Sequence, residues 1–193
     1  MKNKKTQALV VSAVLVALST VLSMVKLYEA PLGGSITLLS MLPICIVSIR
    51  YGVKWGLASS FVYSLFQLFL SLGEVLTWGL TPGILVGCII FDYILAYTVI
   101  GLAGIFRNKG TGGVIGGITL ALVPRFVSHF ISGYVFFAKL DQWELFGTVF
   151  ENKPVLYSIA YNGLYMLPEL VLTVIAAVIL CQIKGTRKLL LED

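Results

Sequence analysis

The chain has 193 residues, of which 58% are hydrophobic and 12% charged, with a formal net charge of +5 and a mean hydropathy of +0.96. Soluble domains keep a near-even balance of apolar and polar residues, so this composition excludes water as the chain's main solvent. It also excludes a nucleic-acid-binding module, which would gather its basic residues into one concentrated patch.

A helix that crosses the hydrocarbon core needs about 20 mainly apolar residues. Six such stretches, separated by short polar or Gly/Pro breaks, lie near 7–25, 35–50, 53–72, 80–105, 112–137 and 155–183. These runs are long and continuous, whereas lipid-facing barrel strands are about ten residues long and alternate apolar with polar. Only helices and closed barrels satisfy their backbone groups in lipid. The sequence therefore predicts an all-α polytopic membrane protein of six transmembrane helices, with one membrane domain spanning 1–193.

Lys2, Lys4 and Lys5 precede the first apolar run, but no small-residue cleavage site with a polar domain behind it follows, so the run reads as helix one rather than a secretory leader. Within it Ala13 and Ala17 put two small side chains on one helix face. Such pairs are common in membrane helices, and by itself this one reads as internal packing. The first outer connection carries Pro31, Gly33 and Gly34 and reads as a bendable loop. Gly112, Gly113, Gly116 and Gly117 open helix five at a spacing that permits close helix packing. The longest connection, 138–154, holds Lys139, Asp141, Trp143, Glu144, Glu151 and Lys153 and reads as an extracellular loop.

Cytoplasmic connections carry the excess of Lys and Arg. Lys2, Lys4, Lys5, Arg50, Lys54, Arg107, Lys109, Lys184, Arg187 and Lys188 fall at the N-terminus, the even-numbered connections and the C-terminus, against Lys26, Lys139 and Lys153 on the other side. Both termini are thus expected in the cytoplasm. No GxxxxGK[ST] loop occurs, so ATP cannot be hydrolysed by that route, and energy must come from a gradient or a partner. Cys45, Cys88 and Cys181 lie inside predicted helices without CxxC spacing. They read as small packing residues rather than a zinc site or disulfide framework.

Ionisable side chains inside the bilayer are costly and are functional candidates by default. Asp92, Arg125, His129 and Glu169 are of this kind. At about 1.5 Å per residue, Asp92, His129 and Asn162 lie roughly 18, 12 and 11 Å below the outer ends of helices four, five and six, so the three can meet in the outer half. Tyr93, Tyr134, Phe137, Tyr157 and Tyr161 lie around them. A carboxylate, an imidazole, an amide and aromatic faces suit a flat, cationic, hydrogen-bonding ligand, although Tyr134 and Phe137 also read as interface anchors. Arg125 sits one turn deeper than His129 and can pair with Asp92 or Glu169. Glu169 has three readings: partner of Arg125, pocket floor, or proton relay. His129 is the single histidine, and no metal-ligand spacing accompanies it. Ser128 is adjacent to it rather than on its helix face and no GxSxG turn occurs, so no catalytic residue is assigned.

Several stretches resemble a known family: Pro31-Leu-Gly-Gly-Ser35, Met41-Leu-Pro-Ile44, Ile49-Arg-Tyr-Gly52, Asp92-Tyr93, Arg125-Phe-Val-Ser-His-Phe-Ile-Ser-Gly133 and Tyr157-Ser-Ile-Ala-Tyr-Asn162. Along its whole length the chain is similar to the thiamine-specific substrate-binding subunits, or S-components, of energy-coupling factor transporters. The resemblance implies a high-affinity thiamine-binding subunit in a bacterial cell membrane, without enzymatic activity or cofactor. It also implies as partners a membrane coupling subunit and two cytoplasmic ATPases. Carried over by motif, Asp92, His129, Tyr157 and Asn162 hold the ligand, Tyr93 and Phe137 stack on it, and Ala13 and Ala17 dock on the coupling subunit. Other members place Trp and Glu near Gly34 and Leu38; Tyr28 is this chain's replacement candidate. An S-component for another vitamin or a thiamine precursor, and an autonomous carrier coupled through Glu169, stay open as alternatives.

Overall fold

The computed structural model of the chain describes residues 4–137, 144–145, 148–150 and 153–191. Lys139, Asp141, Trp143 and Glu151, expected in the longest outer loop, lie outside the described residues. Within that connection two short paired strands, Glu144–Leu145 and Thr148–Val149, are described.

Among the described residues, five helices are long and apolar enough to cross a membrane. They are α1 (Lys4–Ser23), α3 (Val53–Val75, prolonged by a tight turn Leu76–Trp78), α4 (Pro82–Gly104), α5 (Gly110–Ser132) and α6 (Pro154–Gln182). A short amphipathic helix, α7 (Lys184–Leu191), ends the fold. The stretch expected to form the second span differs. Its helix α2 covers only Leu42–Tyr51, ten residues, or about 15 Å of rise against a hydrocarbon core of about 30 Å.

The residues before α2 form a hairpin instead. Strand β1 (Lys26–Glu29) pairs antiparallel with β2 (Ser35–Thr37), Tyr28 opposite Ile36 and Glu29 opposite Ser35. Local chemistry explains why the helix does not start earlier. Gly33 turns the chain at φ 88 and Leu39 is itself left-handed at φ 59; helical propagation cannot pass such residues. Pro43 in the first turn of α2 then suits a helix start, where its missing N–H costs nothing.

Small residues let the inner helices touch. Gly104 N donates to Ser48 Oγ at 2.9 Å, and a side chain at Gly101 or Gly104 would run into the backbone of α3 or α2. Of the four glycines at the head of α5, Gly113 and Gly117 press on the carbonyls of Phe106 and Ala103. Gly112 meets nothing and Gly116 only the Phe106 ring, so close packing uses half of the expected set. Arg107 donates to the Arg50 carbonyl at 3.1 Å, joining the basic turn before α5 to the end of α2. The buried core falls into two clusters: an aliphatic one built around α2, α4 and α5, and an aromatic one beneath the hairpin.

Candidate ligand-binding site

The aromatic cluster surrounds a cavity of about 110 Å³, where one water needs roughly 10–15 Å³ on the same measure. Asp92, Tyr93, His129, Phe137, Tyr157 and Asn162, the site residues expected from the sequence, all line it. Tyr134 does not. It is half-exposed and stacks on Phe130 at 6.2 Å, the placement of an interface anchor. Tyr28 is exposed on β1 and is not part of the cavity wall.

The polar line of the site crosses three helices. His129 Nδ1 lies 2.9 Å from Asp92 Oδ1, and Ser132 Oγ, one turn further along α5, donates to Asp92 Oδ2. Asn162 Nδ2 donates to the His129 carbonyl at 3.3 Å and to the Ser158 carbonyl at 2.9 Å, while its oxygen accepts from Tyr165 OH at 2.7 Å. With Nδ1–H given to the carboxylate, a neutral His129 presents Nε2 as an acceptor. That nitrogen is buried and has no partner among the described residues, and a buried polar atom without a partner asks for one.

The wall around Asp92 is built by an irregular helix. Residues Ile89–Leu95 form a wide π-helical turn within α4, and a second one, Gly133–Phe137, follows α5. Wide turns of this kind recur at functional sites because they re-aim side chains. Here the neighbours Asp92 and Tyr93 both line the cavity, and Phe137 ends the second turn against the Trp78 ring, edge to face at 5.9 Å. On α6, Tyr157 and Tyr161 stack at 5.7 Å, Tyr165 meets Tyr161 edge to face at 5.9 Å, and His129 closes the row 6.1 Å from Tyr165.

The floor carries an ion pair. Arg125 Nη1 sits 3.0 Å from Glu169 Oε2, with both side chains only 4% exposed, and its guanidinium lies 4.9 Å over the Tyr97 ring. Of the two partners open from sequence, Arg125 takes Glu169. The other Glu169 oxygen accepts from Thr37 N at 3.1 Å and Thr37 Oγ1 at 2.6 Å.

The hairpin is the roof. Gly34 N donates to Tyr161 OH at 3.0 Å, and that hydroxyl in turn donates to the Pro31 carbonyl. A Cβ at Gly34 would lie 2.8 Å from the Tyr161 hydroxyl and from the Tyr165 ring, so no side chain fits where the loop crosses α6. Tyr165, Tyr97, Trp78, Glu74 and Gln67 also line the cavity and were not singled out from sequence as site residues. For Tyr165 the signal was present, since it follows Tyr157 and Tyr161 at helical spacing. Gln67 and Tyr97 fall inside the apolar runs 53–72 and 80–105, and Glu74 and Trp78 in the short break between them, where no spacing sets them apart.

Ala13 and Ala17 lie on the exposed face of α1, whereas Ser12, Val16 and Ser19 form its buried face. The pair does not pack inside the bundle, contrary to the reading that its spacing alone favours.

A family model described as thiamine transporter protein matches residues 9–189. The chain is 28% identical over 207 residues to the thiamine transporter ThiT of Bacillus subtilis, covering 100% of this chain and 97% of that protein. A solved structure of ThiT from Listeria monocytogenes superposes with a TM-score of 0.75 at 24% identity, covering 97% of this chain and 99% of that one, and supports the fold.

Proposed function

The chain belongs to the thiamine transporter protein family, and from that premise we propose that it is the thiamine-binding subunit of an ATP-driven uptake system of the energy-coupling factor type. It is a multi-pass protein of the cell membrane, and its relatives are transporters, not enzymes.

The observation that carries the proposal is the Asp92–His129–Asn162 line within an aromatic-walled cavity roofed by the hairpin. Thiamine joins an aminopyrimidine, which is flat and both donates and accepts hydrogen bonds, to a positively charged thiazolium ring. Asp92 offers an acceptor to the exocyclic amine, and the unpartnered Nε2 of His129 takes a second donor. Tyr157 and Asn162 complete the polar contacts. Tyr93 and Phe137 supply ring faces, and aromatic faces attract a cation by about 0.5–2 kcal/mol each.

Thiamine enters from outside, the Pro31–Ser35 segment settles over it, and release inward requires the coupling subunit and two cytoplasmic ATPases. The exposed Ala13 and Ala17 support docking to that subunit, since small residues allow close helix approach. Gathering of Arg50 and Arg107 at one end of the bundle supports cytoplasmic termini. In proteoliposomes the subunit alone should bind thiamine without accumulating it. Accumulation should appear only with the coupling subunit, the ATPases and ATP; accumulation by the subunit alone would contradict the proposal.

A further inference from the structure

Among the described residues, three carboxylates line the cavity: Glu74, Asp92 and Glu169. Two of them are spoken for within the protein. Glu169 is neutralised by Arg125 and held by Thr37, and Asp92 is bound by His129 and Ser132. Glu74 differs. Among the described residues no ion pair or side-chain hydrogen bond engages its carboxylate, and the two cations that line the cavity, Lys26 and Arg125, are paired with Glu29 and Glu169 instead.

Glu74 stands in the last turn of α3, and Trp78 closes the tight turn that prolongs it. Both residues line the cavity. The Trp78 ring is fixed from two sides. Phe137 packs edge to face on it at 5.9 Å, and its outer carbons lie 3.3 Å from where a Cβ of Gly33 would stand, directly under the roof. The C-terminal end of α3 adds the partial negative charge of its last carbonyls at the same place. A free carboxylate, an indole face and a helix C-terminus all favour a positive charge.

We infer that Glu74 and Trp78 form a cation subsite at the cavity mouth that selects the charged ring of the ligand, while Asp92 and His129 read the uncharged, hydrogen-bonding ring. This rests on the thiamine reading above and deepens it. The two ends of the ligand are thereby recognised by different means: hydrogen-bond geometry deep in the membrane, and charge near the outer surface. An exposed carboxylate 4 Å from a unit charge contributes about 1 kcal/mol in water and more as water is excluded, equivalent to at least about fivefold in affinity.

The test is calorimetric titration of the purified full-length protein and its Glu74→Gln variant. The ligands are thiamine and deazathiamine, the isostere in which a neutral thiophene replaces the thiazolium. Glu74 is exposed at a helix end, where substitutions rarely disturb folding. The subsite predicts that Glu74→Gln weakens thiamine at least about fivefold and leaves the neutral isostere within about twofold. It further predicts that added salt narrows the difference between the two proteins. Equal losses for both ligands would make Glu74 structural, and an unchanged thiamine affinity would remove it from the site; either result overturns the subsite while leaving the thiamine reading intact. A wild-type protein that binds neither ligand would instead overturn the parent reading, and the subsite with it.

Discussion

Arg125 and Glu169 lie 3.0 Å apart in the centre of the bundle, and the same carboxylate that neutralises the arginine also holds Thr37 at the end of the hairpin roof. An ion pair joining α5 to α6 is thus also the inner anchor of the segment that covers the cavity. Its outer anchor is the Tyr161 hydroxyl, engaged by Gly34 and Pro31.

Breaking a buried pair on one side leaves an uncompensated charge, which costs about 3–5 kcal/mol, whereas replacing both partners by apolar residues is near neutral. Glu169→Gln and Arg125→Met should each lower the melting temperature of the detergent-solubilised protein markedly. The double variant Arg125→Met/Glu169→Leu should recover most of the loss. If the double variant is as unstable as the sum of the singles, the two residues do not act as a pair.

Tyr161→Phe keeps the ring and its stacking on Tyr157 but removes the hydroxyl that ties down the roof. Leaving the Gly34 N–H and Pro31 carbonyl unpaired costs about 1–3 kcal/mol. Thiamine should dissociate roughly five- to a hundredfold faster in stopped-flow measurements, with the association rate little changed. An unchanged dissociation rate would show that the roof is held by other contacts.

Asp92→Asn cannot accept both from His129 and from Ser132 while also serving a ligand amine. Hydrogen bonds to a charged group are worth about 1.5–3 kcal/mol, so thiamine affinity should fall roughly ten- to a hundredfold. Equal affinity in wild type and variant would take Asp92 out of the site.

Replacing both Ala13 and Ala17 by Trp fills the exposed face of α1 without touching its buried face. Binding of thiamine by the isolated subunit should be unaffected, and uptake by cells that make the whole complex should be lost. Loss of binding in the isolated subunit would assign the pair to internal packing.

The long helices were legible because hydropathy over about 20 residues is a local property. The meeting of Asp92, His129 and Asn162 was legible too, because rise per residue fixes depth once helix ends are known. The stretch 35–50 was misread for a related reason: an apolar run has the same hydropathy whether it forms a strand, a left-handed turn at Leu39 or a helix. The residues that stop the helix act through backbone conformation rather than polarity. The wide turn that aims Asp92 and Tyr93 left no trace in composition, since no glycine or proline lies within Ile89–Leu95. The choice of Glu169 over Asp92 by Arg125 depends on how α5 and α6 rotate against each other, which no local pattern records. Glu74 and Trp78 escaped because they belong to the outer end of α3, and their relation to the cavity depends on the hairpin folding back over it.

The most direct test of the binding reading is titration of the purified protein with thiamine, following intrinsic fluorescence, with riboflavin and the aminopyrimidine precursor as controls. Trp78 lines the cavity, so bound thiamine should quench its emission in a saturable way. The quench should disappear in Trp78→Phe even where calorimetry still detects binding, and riboflavin should give no saturable binding. Saturable binding of riboflavin or another vitamin, with none of thiamine, would contradict the substrate assignment.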